Sequence, residues 1–170
     1  MKEKLEYEFC PKCGGILGCK LLKEGEPERL VCEKCSFIFF LDPKATAGTI
    51  FTSGGKIVLL RRGIEPGYGK WVFPGGYVNQ GEVVEDAAIR ETKEEVNVDV
   101  KIIHLLNVYS YPNRPVIVIV YAAEVTGGTL RAGDESLEVK TFSAEEIPWD
   151  HLAFPSTKDG LRDYIARYCL

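Results

Sequence analysis

Histidine is scarce in this chain: His104 and His151 are the only two, and no Gly-x-Ser-x-Gly precedes either. Serine-type hydrolysis has no support from such a pattern. Positive charge is not in excess either, since 21 Lys and Arg face 25 Asp and Glu for a formal net charge of −4. That balance argues against a general binder of nucleic acid or of anionic membranes. Long apolar runs are missing, and the longest, residues 116–123, falls far short of the ~20 residues that span a bilayer. The N-terminal stretch MKEKLEYEFC mixes charges without an apolar segment, so the expectation is a cytoplasmic chain with no secretory signal. Repeats and low-complexity tracts are absent too. One glycine–lysine loop, Gly63 to Lys70, fails as a P-loop, because five residues separate Gly63 from Gly69 and Trp71 follows Lys70.

What is present fits one ordinary domain and a small accessory, with a 45% hydrophobic fraction that supports a packed core. Five of the six cysteines fall within residues 1–41, four of them as Cys10-Pro-Lys-Cys13 and Cys32-Glu-Lys-Cys35. Two C-x2-C knuckles at this distance are ribbon-type zinc spacing, each knuckle offering two thiolates to a tetrahedral Zn²⁺. Two disulfides or a redox pair are the competing readings. Disulfides suit a secreted chain, and redox C-x-x-C motifs rarely come paired. Four thiolates fill the coordination sphere, so the metal would be structural and would supply folding free energy to a segment too small to bury much core. Cys19 and Cys169 are left as packed or spare thiols. Residues 1–41 carry seven Lys or Arg and seven Glu, which lacks the basic surface that phosphate backbones require. The apolar tail Phe37-Ile38-Phe39-Phe40-Leu41 is expected to pack against the main domain or a second subunit of a homodimer. We place the boundary between residues 1–41 and 42–170.

The stretch that organises the larger part is GGYVNQGEVVEDAAIRETKEEVNV, from Gly75 to Val98. A helix from about Glu82 to Val96 puts Val84, Ala88, Ile89, Thr92 and Val96 on one arc and Glu91, Glu94 and Glu95 on the next. Like charges at these spacings destabilise a helix by roughly 0.2–0.5 kcal/mol per pair. One arginine, Arg90, does not neutralise three carboxylates. The arc is either a solvated acidic face or a cluster that holds hard divalent cations such as Mg²⁺ through oxygen ligands.

The spacing ahead of the helix decides between them. Gly76, five residues, Glu82, seven residues, then Arg90-Glu91-Thr92-Lys93-Glu94-Glu95-Val96-Asn97-Val98 resembles the Nudix box, GX5EX7REUXEEXGU. Thr92 stands where an aliphatic residue is usual and Asn97 where glycine is. Asparagine is the non-glycine residue that best tolerates a left-handed backbone, and neither change removes a carboxylate. The resemblance implies a Nudix-type α/β/α sandwich with a mixed sheet over residues 42–170, preceded here by a small β zinc ribbon. It implies a hydrolase that cleaves the pyrophosphate of a nucleoside diphosphate derivative with Mg²⁺ or Mn²⁺. Glu91, Glu94 and Glu95 would then be metal ligands, with Gly76 lending its carbonyl, and Arg90 and Glu82 would form the supporting network.

Around the box, residues 45–52 and 56–62 flank a Ser-Gly-Gly hairpin signal, and segments 98–109, 116–125 and 139–142 read as strands. Ser143 to Glu146 reads as a capping box, and Ser156 as the cap of a last helix striped by Leu161, Tyr164, Ile165 and Tyr168. A further carboxylate is expected outside the helix, Glu135 first and Glu138 second. Arg61, Arg62 and Arg114 are candidates to meet phosphates, and Trp71, Phe73, Tyr77 and Tyr121 to stack on a base or flavin, with core packing the alternative. Residues 109–115, Tyr-Ser-Tyr-Pro-Asn-Arg-Pro, do not match the SQPWPFPxS motif of the NADH pyrophosphatases. Glu135-Ser-Leu-Glu-Val139 and the segment 146–154 look like ribbon-containing hydrolases of ADP-ribose and FAD. NADH, dinucleotides and nucleoside triphosphates are alternative substrates, and an ADP-ribose sensor without turnover is an alternative class.

Overall fold

The structure, a computed structural model, describes residues 7–168; Cys169 and four of the charges counted above lie outside them. The chain divides into two compact units, 1–42 and 43–170. In the first, β1 (Leu17–Lys20), β2 (Arg29–Cys32) and β3 (Ile38–Phe39) form a three-stranded antiparallel sheet. Its core is small: Cys10, Leu17, Leu30 and Cys32, with Cys13, Phe37 and Phe39 packed on them. The apolar tail is thus used partly inside the ribbon, as strand and core, while Phe40 and Leu41 stay exposed.

The second unit holds two sheets. A mixed sheet of order β8-β4-β10-β9 is built from β4 (Lys44–Ile50), β8 (Gly75–Tyr77), β9 (Val98–Tyr109) and β10 (Val116–Gly128), with β10 parallel to β4 and antiparallel to β9. An antiparallel sheet joins β5 (Thr52–Ser53), β6 (Lys56–Arg62) and β11 (Ser136–Phe142), and β7 (Trp71–Val72) pairs with β6. The expected strand 45–52 is therefore two strands. The chain leaves one sheet at the fully buried Phe51 and enters the other, where Gly54 and Gly55 turn it back with positive φ. Ile57, Val58, Leu59 and Leu60 are all buried, which is why β6 reads as an unbroken apolar run rather than an alternating one.

Helices α1 (Val84–Val96) and α2 (Pro155–Tyr168) cover opposite faces of the mixed sheet. Along β10 the side chains alternate as a pleated strand requires: Val120 and Ala122 pack with Leu161 and Tyr164 of α2, and Tyr121 packs with Ala87 and Ala88 of α1. This is the expected sandwich around a mixed sheet. Ser143 and Glu146 form the expected capping box. Ser156 is not a cap. It is buried inside α2, which starts at Pro155, a residue preorganised for a first helical position. No helix among the described residues is long and apolar enough to cross a membrane.

The two departures from the box pattern have local explanations. Asn97 ends α1 with φ 60°, and its N–H caps the Lys93 carbonyl. Thr92 is fully buried, donates to the Ala88 carbonyl at 2.7 Å, and meets the Thr49 hydroxyl of β4, also at 2.7 Å. The hydroxyl is tolerated because β4 answers it. Thr92→Val leaves the buried Thr49 hydroxyl without its partner and will cost about 1–3 kcal/mol. The double variant with Thr49→Val will recover most of that loss in urea unfolding.

Candidate active site and zinc cluster

The carboxylates of α1 meet strand β8 at its glycines. Gly75 donates its N–H to Glu95 Oε2 at 2.8 Å. A Cβ on Gly76 would overlap the Glu91 carboxylate, lying 2.6 Å from Oε1, so the glycine is what lets that carboxylate sit against the strand in this position. Glu95 is buried at 8% exposure, an uncommon place for an ionisable group. Burial first, then the charges of Glu91 and Glu135, push its carboxyl up to about 7 against the pull of the Gly75 amide and Arg62. Burial, with Glu94 and Glu135, also raises Glu91, despite Arg90.

Arg90 is the hub of the network. It grips Glu82 through Nε at 2.7 Å and Nη2 at 3.0 Å, and donates from Nη1 to Glu91 at 2.7 Å and Glu94 at 3.0 Å. Its Nη2 also reaches the Tyr77 carbonyl at 3.1 Å. Glu82 is held down to about 2 by Arg90 and by the Asn79 amide. All five donors of a guanidinium in a fixed fork suit such a hub, as lysine would not. Because Arg90 engages Glu91 and Glu94, and Gly75 engages Glu95, the three carboxylates do not converge on one point; among the described residues only the cysteines show that close gathering of ligand atoms.

Of the other predicted site residues, Arg62 and Glu135 are close enough to the carboxylates that each contributes to the charge environment of Glu95. Arg62 is fixed by Nε donating to the Pro66 carbonyl at 2.8 Å and by lying over the Phe154 ring. Arg61, its neighbour on β6, pairs with Glu138 at 3.5 Å. Tyr77 is exposed beside Gly76, with Lys44 over its ring at 5.0 Å. The exposed turn containing Arg114 is at that same end of the sheet, since Lys44 N–H donates to the Pro115 carbonyl. For the other three aromatics the core-packing alternative describes the structure, with Trp71 half-buried against the core and Phe73 and Tyr121 inside it. Trp71 packs edge-on to Phe142, Phe73 joins the same cluster, and Tyr121 lies under α1. Size and aromaticity alone fit either role; Trp71 and Tyr121 are oriented by their strands, and Phe73 by the segment that follows β7. Thr49, Gly133 and Ser136 were missed, because each acts through a long-range contact that leaves no local pattern.

In the ribbon, the sulfurs of Cys10, Cys13, Cys32 and Cys35 lie within 4.8 Å of one another. Cys10–Cys35 is 3.8 Å and Cys13–Cys32 3.5 Å. A Zn–S bond of about 2.3 Å implies tetrahedral S···S edges near 3.8 Å, so the cage has zinc dimensions and not those of a disulfide. Each knuckle turns through a positive φ, at Gly14 and at Ser36.

The comparisons agree with this geometry. Residues 41–165 match the NUDIX domain model, and residues 8–40 match the model described as Nudix N-terminal, a zinc ribbon. The ADP-ribose pyrophosphatase of Methanocaldococcus jannaschii is 39% identical over 130 residues, 74% of this chain and 75% of that protein. The NAD-capped RNA hydrolase NudC of Pseudomonas fluorescens is 25% identical over 97% of this chain, which spans only 55% of that protein's length. A NUDIX hydrolase structure from Nitrosomonas europaea superposes with a TM-score of 0.88 at 35% identity, covering 95% of this chain and 92% of that one. With box, sandwich and ribbon all matched, the chain belongs to the Nudix family of pyrophosphohydrolases, in the branch that carries an N-terminal zinc ribbon.

Proposed function

We propose that this enzyme cleaves the diphosphate of a nucleoside diphosphate linked to a second group, with ADP-ribose favoured and FAD beside it. Glu91, Glu94, Glu95 and the Gly76 carbonyl would hold Mg²⁺ or Mn²⁺, and the four ribbon cysteines a structural Zn²⁺. The observation that carries the reading is the close seating of Glu91 on Gly76 beside the buried Glu95. It is an all-oxygen donor set in which burial and neighbouring carboxylates push the Glu91 and Glu95 carboxyls up, a charge burden that a hard divalent cation would relieve. When bound, such a cation withdraws charge from phosphoryl oxygens and makes a bound water a better nucleophile at neutral pH.

The chain's own residues do the rest. Arg90 holds Glu82, Glu91 and Glu94 in register and contacts no substrate. Arg62, already immobilised, presents its remaining N–H groups to a phosphate. Glu135 takes the proton as water attacks phosphorus and the bridging P–O bond breaks, giving AMP and ribose 5-phosphate from ADP-ribose. Tyr77, with Arg114 in the turn at its end of the sheet, would meet the outer part of the nucleotide; Arg61, tied to Glu138, is a weaker candidate. The name of the M. jannaschii relative supports ADP-ribose. The NudC relatives favour a dinucleotide as the second reading. Against it, the hydroxyls of Tyr109 and Tyr111 donate to Asp163 and Asp159 of α2 at 2.6 Å, committing that segment to packing. The intact carboxylate set speaks against a sensor without turnover, and the setting is that of a cytoplasmic enzyme.

A panel of ADP-ribose, FAD, NADH, diadenosine polyphosphates and nucleoside triphosphates tests the assignment. We expect AMP release to be fastest from ADP-ribose, to stop with EDTA, and to vanish in Glu94→Gln. Tight ADP-ribose binding without turnover would overturn the enzyme reading in favour of a sensor.

A further inference from the structure

The last carbonyls of α1 have no partner inside the helix, and a distant segment supplies the donors. Arg131 N–H donates to the Val96 carbonyl at 3.1 Å, Gly133 N–H to the Glu95 carbonyl at 2.9 Å, and Ser136 Oγ to that same carbonyl at 3.1 Å. At Gly133 the contact is backbone on backbone. A Cβ there would overlap the Glu94 carbonyl and sit 3.2 Å from Glu95 Cα, so no other residue fits without moving the segment. Ser136 N–H closes a tight turn on the Gly133 carbonyl at 3.0 Å.

Glu135 is the third residue of that turn. Its own carbonyl accepts the Gly63 N–H at 2.7 Å, one residue beyond Arg62, and a Cβ on Gly63 would come 2.9 Å from it. The Glu135 backbone is therefore clamped between the end of the helix that carries Glu91, Glu94 and Glu95 and the end of the strand that carries Arg62. Its charge registers at both Glu91 and Glu95. A free loop would cap a helix as well with water; a glycine packed backbone to backbone, a buried serine hydroxyl and a third tether on the residue between them fix one position.

We propose that Gly133 and Ser136 are positioning residues for the hydrolysis, holding the Glu135 carboxylate at a set reach from Glu91 and Glu95 by closing their turn onto the helix terminus. The proposal rests on the function proposed above, with Glu135 as proton acceptor. Neither residue touches substrate, so their effect must pass through Glu135.

A double-mutant cycle on the full-length, metal-loaded enzyme tests this, with ADP-ribose turnover followed beside a thermal melt. Ser136→Ala and Gly133→Ala are each expected to lower kcat about tenfold, the scale of a small misplacement of a reacting group. KM should stay within about twofold, since substrate binding is not touched. In a Glu135→Gln background, Ser136→Ala should lower kcat no further. An equal loss with and without Glu135, or a Ser136→Ala enzyme with wild-type kcat, would overturn the proposal. Should Gly133→Ala not fold, the serine cycle decides alone. If the wild type cleaves no diphosphate at all, the functional reading fails. If turnover needs Glu91 and Glu95 but not Glu135, the proton-acceptor role of Glu135 and the positioning proposal fall together, while the diphosphate-cleaving reading stands.

Discussion

Glutamine at position 95 will lower kcat by roughly 10²–10³-fold, the scale of losing one electrostatic stabiliser at a reacting centre, and the chain will stay folded. The substitution keeps an oxygen to accept the Gly75 N–H at 2.8 Å and keeps the side-chain volume in a buried site. What it removes is the charge. In the metal-free protein that charge is a burden, because Glu95 titrates near 7 where an ordinary glutamate titrates at 4.5. The folded state thus holds its proton more tightly than the unfolded chain. Its stabilising contribution is complete below pH 4.5 and is lost as pH rises through about 7. Metal-free wild type will therefore melt progressively lower than Glu95→Gln between those values, and added Mg²⁺ will restore the wild type alone. Kinetics and melts on one preparation separate the chemical loss from a structural one. A Glu95→Gln enzyme with wild-type kcat would remove Glu95 from the site.

Serine at Cys13 will have the opposite profile. Among the described residues the ribbon buries little beyond Cys10, Leu17, Leu30, Val31 and Cys32, too little to offset the entropy of ordering the chain. Structural zinc contributes on the order of 10–16 kcal/mol to folding of comparable small sites. Without one of its four sulfurs, the segment 7–42 should lose its zinc and its protection from protease. The catalytic step is expected to be unaffected, because the carboxylates, Arg62 and Glu135 all belong to the other unit. Atomic absorption, limited proteolysis and kcat measured together read this out. A zinc-free Cys13→Ser chain with a protected ribbon would contradict the structural role.

The difference between what could and could not be read in the sequence follows the range of each interaction. The acidic helix, the strand 98–109 and the two cysteine knuckles are local patterns, set by periodicity and ligand spacing, and they appear where expected except that the helix starts at Val84, which leaves Glu82 in the turn ahead of it. Asn97 was legible for the same reason, since a left-handed helix end selects few residues. The partner of Thr92 was not, because Thr49 comes from a strand 43 residues earlier and only the fold aligns the two hydroxyls. For Trp71, Phe73 and Tyr121 stacking and core packing both stayed open because size and aromaticity serve a base and a core equally; only the fold decides which way they face. The break at Phe51 was hidden inside a continuous β-forming run, where the residue that crosses between sheets looks like its neighbours. Gly133 to Ser136 carries a turn-like composition, yet nothing local says that the turn closes on a helix end.

The direct test is a crystal of the metal-loaded enzyme, soaked in Mn²⁺ and measured at the manganese edge. The account predicts anomalous density among Glu91, Glu94, Glu95 and the Gly76 carbonyl, with Arg90 still holding Glu82. A carboxylate cluster without manganese, in an enzyme that still cleaves ADP-ribose in the presence of chelator, would contradict it.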